Sequence, residues 1–104
     1  MALTRDFKIT VIERAKSDKK FREKMLSEAV NELLNGDVDA GKAMLRDYIN
    51  ATITFESLAK SLEKNPKSLM RMLSPSGNPT SKSLFSVFHV IQEIENIHFE
   101  VAIV

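Results

Sequence analysis

Lys67, Ser68 and Arg71 have the side-chain types and the spacing to read a nucleic acid. On a helical wheel at about 100° per residue, with Lys67 at zero, Arg71 falls near 40° and Ser68 near 100°. Leu69, Met72 and Leu73 fall between about 140° and 240°, so the polar and apolar arcs separate. Arginine and lysine can donate to O6 and N7 of guanine, and serine can serve a base or a phosphate. Met70 falls near 300°, on the boundary, and the wheel does not place it. From Lys64 to Gln92 the chain has no acidic residue, yet Lys64, Lys67, Arg71 and Lys82 lie there. A locally positive face on a chain of formal net charge +1 suits a polyanionic partner. Chance clustering on a solvated surface is the competing explanation.

Other chemistry finds little support. His89 and His98 fall on different elements with no evident carboxylate partner, and His89, between Phe88 and Val90, reads as half-buried and structural. Asp37 and Asp39 are explained by helix capping, and Glu93 and Glu95 read as surface residues at a helix end. The chain has no cysteine, which excludes disulfides and thiolate metal sites. It has no Ser-His-Asp logic and no glycine-rich phosphate loop. The expectation is no enzyme, no catalytic residue, no metal and no cofactor.

The elements that must position Lys67, Ser68 and Arg71 can be read from periodicity. The 104 residues allow one domain, and 43% hydrophobic residues are enough for a core. No stretch approaches the roughly 18 apolar residues of a membrane span, and Met1 to Ile12 lacks the apolar region of a signal peptide. A soluble, cytoplasmic protein with no membrane partner is expected. Thr4 is a cap for a first helix carrying Phe7, Val11, Ile12 and Ala15. Asp18 caps a second, with Phe21, Met25, Leu26, Ala29, Val30, Leu33 and Leu34 as its stripe and Gly36 as its stop. Asp37 or Asp39 opens a third, with Ala43, Met44, Tyr48 and Ile49 inward. Thr54 caps a short fourth helix, and Asn65 followed by Pro66 starts a fifth that runs to about Leu73. After the turn-forming residues Ser74 to Pro79, Thr80 or Ser81 caps a sixth helix with Leu84, Phe85, Val87, Phe88, Ile91 and Ile94.

The fourth and fifth helices have the layout of a helix-turn-helix: Leu58, Ala59 and Leu62 bury the first helix, and Leu69, Met72 and Leu73 bury the second. Ala59 must be small because the two helices cross closely there. The N–H groups near Thr54 and Asn65, with Lys64, Asn78 and Lys82, are candidate phosphate contacts. Two helices of an ordinary bundle would give a similar pattern. In the tail the period changes to two: Ile97, Phe99, Val101 and Ile103 alternate with His98, Glu100 and Ala102. A lone apolar strand predicts pairing with the same strand of a second chain, a homodimer. An apolar tail laid on the sixth helix is the alternative.

From Lys42 to Val101 the chain resembles the addiction-module antidote proteins, antitoxins with a phage-repressor-like helix-turn-helix. The resemblance lies in Leu45-Arg46-Asp47-Tyr48-Ile49-Asn50-Ala51-Thr52, Lys67-Ser68-Leu69-Met70-Arg71-Met72-Leu73, Gly77-Asn78-Pro79-Thr80 and Leu84-Phe85. Leu3-Thr4-Arg5-Asp6-Phe7-Lys8 and Leu33-Leu34-Asn35-Gly36-Asp37 also fit. The resemblance implies an antitoxin that holds a RelE/ParE-like toxin and represses their shared operon. The family often has glycine then an apolar residue in the helix-turn-helix turn, where this chain has Glu63 and Lys64; Asn65 is the residue that could take the left-handed conformation instead.

The expected architecture is therefore all-α: a single domain, residues 1–104, of five to six helices in a phage-repressor-like arrangement. Residues 1–36 form N-terminal helices, 37–95 the helix-turn-helix core, and 96–104 a C-terminal strand pairing in a dimer. The expected partners are a double-stranded DNA operator, a cognate toxin and a second copy of the chain. A stand-alone phage-type repressor fits the same residues. So does a protein-interaction module without DNA binding, through the basic residues Lys16, Lys19, Lys20, Arg22 and Lys24.

Overall fold

The computed structural model describes residues 5–104. These fold into six α-helices: α1 (Arg5–Ser17), α2 (Lys19–Leu34), α3 (Val38–Ala51), α4 (Phe55–Leu62), α5 (Pro66–Met72) and α6 (Ser81–Glu95). No strand occurs among the described residues. The expected cap Thr4 lies outside them.

Local chemistry sets most of the boundaries. Asp18 accepts the Phe21 N–H at 3.2 Å, and Asp37, rather than Asp39, accepts the Ala40 N–H at 3.1 Å. Thr54 accepts from Ser57, Asn65 from Lys67 with Pro66 as the first helical residue, and Thr80, rather than Ser81, from Ser83. Three helices end in paired bonds from residues after the last turn back to its carbonyls, each around one left-handed residue. At α2 it is Gly36 (φ 87), at α4 Glu63 (φ 55) and at α6 Asn96 (φ 56).

α1, α2 and α3 pack on one another, and α3 leads into α4, which packs against α5 and α6. One core joins α2 to α6, built from Leu26, Leu45, Tyr48, Ile49, Leu58, Leu69, Val87, Phe88 and Ile91 among others. Leu45 belongs to it although the wheel did not single it out. Burial of this apolar area is the main stabilising term. Some expected core positions face outward instead. Leu34 is at the end of α2 and exposed, Phe7 on α1 is exposed, and on α6 Phe85 and Ile94 lie away from the face formed by Val87, Phe88 and Ile91.

The loop between α5 and α6 is clamped from α3. Lys42 is 2% exposed and its Nζ donates to the carbonyls of Ser74 (3.0 Å), Pro75 (3.5 Å) and Gly77 (2.6 Å). Arg46 donates to the Leu73 carbonyl. Two cations thus sit on carbonyls at and beyond the C-terminal end of α5, where the helix dipole is negative. Gly77 is needed because a Cβ there would collide with the carbonyl oxygens of Arg71 and Met72.

The tail departs from a free strand. Asn96 turns the chain back, the Ile97 N–H bonds to the Gln92 carbonyl at 3.0 Å, and the Phe99 N–H to Gln92 Oε1 at 2.9 Å. The Phe99 ring stands edge-on to Phe88 at 5.9 Å. Ile97 and Phe99 are half-buried while His98 and Glu100 are exposed, so the period-two alternation holds for four residues. It then stops: Val101 and Ile103 are both exposed. Among the described residues there is no second strand, and residues 97–104 form no hydrogen-bonded ladder within the chain.

Candidate nucleic-acid interface

α5 is amphipathic in the expected sense. Leu69 and Leu73 are buried and Met72 half-buried, while Lys67, Ser68 and Arg71 are exposed. α4 supports α5 from beneath. Leu58 and Ala59 are buried on a helix that packs against α5.

The turn between them is tight, and its left-handed residue differs from expectation. Asn65 is extended (φ −77, ψ 130) because it serves as the N-cap. Glu63 is the residue in the left-handed region (φ 55, ψ 44). The Lys64 N–H reaches back to the Ala59 carbonyl at 2.9 Å and the Glu63 N–H to Lys60 at 3.2 Å, which closes α4 and redirects the chain into α5. Thr54, at the other end of α4, has φ 67 and ψ 153, a region essentially reserved for glycine.

All eight candidate DNA-binding residues, Thr54, Lys64, Asn65, Lys67, Ser68, Arg71, Asn78 and Lys82, are exposed. Lys64 and Asn65 lie in the turn that feeds the face carrying Lys67, Ser68 and Arg71. Asn78 lies in the clamped loop and Lys82 in the first turn of α6. Thr54 is separated from this group by the length of α4, about 12 Å for eight residues. Among the described residues no carboxylate pairs with Lys64, Lys67, Arg71 or Lys82; the ion pairs are Arg14–Asp18, Arg22–Glu95, Asp39–Lys42 and His89–Glu93.

The helix starts hold less for a phosphate than expected. Asn65 Oδ1 already accepts the Lys67 N–H at 2.8 Å, and Pro66 has none to offer. Thr54 Oγ1 likewise takes the Ser57 N–H at 3.2 Å. One backbone donor at each helix start is thus already taken, and the lysine and arginine side chains supply the positive charge.

Several titratable groups lie where sequence reasoning did not put them. His89 faces solvent, its side chain 72% exposed, and has a carboxylate partner one turn on, Glu93 Oε1 at 2.8 Å. Glu95 points inward, with a side chain 10% exposed, to Arg22, which is itself drawn out of the outer basic cluster. Beside that pair the Tyr48 hydroxyl is buried without a hydrogen-bond partner. Burial, seconded by the nearby Glu95 carboxylate, pushes its pKa up to about 12; Thr52 and Arg22 act in the opposite direction. A long-range pair of this kind leaves no spacing signal. The burial of Lys42 also gave none. Among the described residues no cluster of three or more His, Asp or Glu could hold a metal ion, and no helix is long and apolar enough to cross a membrane.

Compared with known proteins, the chain matches no family model, no curated protein and no solved structure.

Proposed function

We propose that this chain is a sequence-specific DNA-binding antitoxin that represses its own operon. One observation carries the DNA reading. An α4 anchored by the buried Phe55, Leu58 and Ala59 and a left-handed turn at Glu63 lead into α5, which offers Lys67, Ser68 and Arg71 from its exposed face and no carboxylate to neutralise them. A helix half in the core and half cationic is what a major-groove reader requires. Lys67, Ser68 and Arg71 read base edges; Lys64, Asn78 and Lys82 hold phosphates.

The chain acts as a dimer on a palindromic operator. Its extents of 37 × 34 × 29 Å suit two copies side by side on successive major grooves, which lie about 34 Å apart. The exposed Val101 and Ile103 supply apolar surface for a partner tail, with Ile97 and Phe99 holding the segment to α6. Loss of residues 101–104 then gives a monomer by sedimentation; an unchanged mass would remove the tail from the interface. The toxin partner rests on the family resemblance.

A mobility shift of the purified chain on its own upstream DNA, at two salt concentrations with excess nonspecific competitor, tests the reading. A shift that survives competitor supports sequence-specific binding. A shift abolished by competitor at both salts would leave a protein-interaction module. The adjacent reading frame separates an antitoxin from a lone phage-type repressor.

A further inference from the structure

We infer that Met70 reads a thymine methyl group, so that the bound DNA carries an obligatory thymine beside the base contacted by Lys67. The inference rests on the DNA-binding reading of α5. Met70 is 40% exposed, and at about 100° per residue it lies some 60° from Lys67 on the side away from Arg71. A lone exposed apolar side chain is ordinary. The setting of this one is not. The inner face of α5 is already complete, with Leu69 and Leu73 buried and Met72 half-buried, so Met70 is not needed in the core. It stands instead at the margin of the exposed face, about 60° from Lys67 on one side and about 60° from the buried Leu73 on the other.

Each base pair shows the major groove a set of donors and acceptors, and the thymine C5-methyl is the apolar feature among them. Lysine, serine and arginine can meet the polar set, but none has a reason to prefer the methyl. The unbranched methionine side chain, with its polarisable thioether, adapts to a small apolar target at variable depth. Position, exposure and chemistry thus make Met70 the complement of thymine. A contact to this methyl would also separate DNA from RNA, in which uracil stands in place of thymine.

The test uses the full chain and duplexes that it selects from a randomised pool. Each thymine of the selected half-site is replaced by uracil, which deletes only the methyl. At one position the wild-type chain should lose about fourfold in affinity, the scale of one buried methyl group. Met70→Ala should be indifferent to that replacement, and Met70→Leu should retain the preference. Circular dichroism checks that both variants are folded. Indifference of the wild-type chain to every replacement would overturn the role of Met70, as would a Met70→Ala chain that still discriminates. If the pool yields no preferred sequence, the DNA reading itself fails and the inference falls with it; that outcome is distinct from selection without a methyl effect.

Discussion

Arg22 and Glu95, 73 residues apart, form the ion pair that joins α2 to the end of α6: Nε donates to Oε2 at 3.0 Å. The guanidinium also donates through Nη1 to the Ala15 carbonyl at 3.0 Å, so one side chain ties α1, α2 and α6 together. With side chains only 19% and 10% exposed, neither charge is well solvated if its partner is lost. Arg22→Ala should therefore cost about 3 kcal/mol in urea unfolding, most of it from the stranded Glu95 carboxylate. A paired replacement, Arg22→Met with Glu95→Leu, should cost much less than the two single losses together. Additive losses would show that the two groups do not stabilise each other.

Tyr48 lies against this pair and gives the fold an alkaline weakness. Its folded pKa of about 12 exceeds the ordinary 10.0, so between those values the unfolded chain releases a proton that the folded chain keeps. Stability is fully present below pH 10 and is lost as pH rises toward 12, by at most about 1.4 kcal/mol per unit. Tyr48 is the only tyrosine and there is no tryptophan, so ultraviolet titration of tyrosinate reports this group alone. Tyr48→Phe should remove its share of the alkaline decline and be neutral or slightly stabilising near pH 7, because the buried hydroxyl has no partner to lose. An ordinary tyrosinate titration in the folded chain would refute the shift.

The reasons these groups were hidden in the sequence are physical. Caps are local: Asp18, Asp37, Thr54, Asn65-Pro66 and Thr80 act on N–H groups two or three residues away, and their chemistry is legible in a short window. The exposed face of α5 is equally legible, because a seven-residue helix needs only its own wheel. α6 is apolar on too many sides for a wheel to choose, so whether Phe85 or Phe88 enters the core depends on where α4 lies. Glu95 and Lys42 turn inward only because Arg22 and the loop carbonyls wait there. The tail alternates as a strand would, but Asn96 folds it back and spends Ile97 and Phe99 on its own helix.

Lys42 should prove to be the fastening of the α5–α6 loop. Its ammonium group meets three carbonyls and stands 3.7 Å from Asp39. Lys42→Met keeps most of the stem's packing but strands those carbonyls, and should cost about 2–3 kcal/mol. Amide hydrogen exchange should speed up first in residues 73–80, with α1 and α2 unchanged. Uniform acceleration across the chain would mean that Lys42 stabilises the whole core rather than the loop.

Glu63 should be replaceable with gain. A side chain in the left-handed region costs about 1 kcal/mol that glycine avoids, and Glu63 has no hydrogen bond or ion pair from its carboxylate among the described residues. Glu63→Gly should therefore raise the urea midpoint. It also removes a negative charge next to Lys64, so under the DNA reading it should tighten binding to all sequences alike. Asn96→Gly, at the equivalent position after α6, should gain less, since asparagine tolerates this conformation. Equal gains at the two positions would count against the strain at Glu63.

The division of labour on the DNA face gives the sharpest outcome. Arg71 leaves the exposed face of α5, whereas Lys82 stands in the first turn of α6, beyond the clamped loop. If Arg71 reads a base, Arg71→Ala should cost about 1–3 kcal/mol on the preferred sequence and relax discrimination at one position. If Lys82 holds a phosphate, Lys82→Ala should weaken every sequence similarly and lower the salt slope by about one. Both residues are exposed and neither contributes to the core, so thermal unfolding of the two variants should match the parent. Titrating the preferred duplex, a single-base variant and a scrambled duplex at two salt concentrations separates the roles. Identical behaviour of the two variants across all three duplexes would show that α5 does not read sequence.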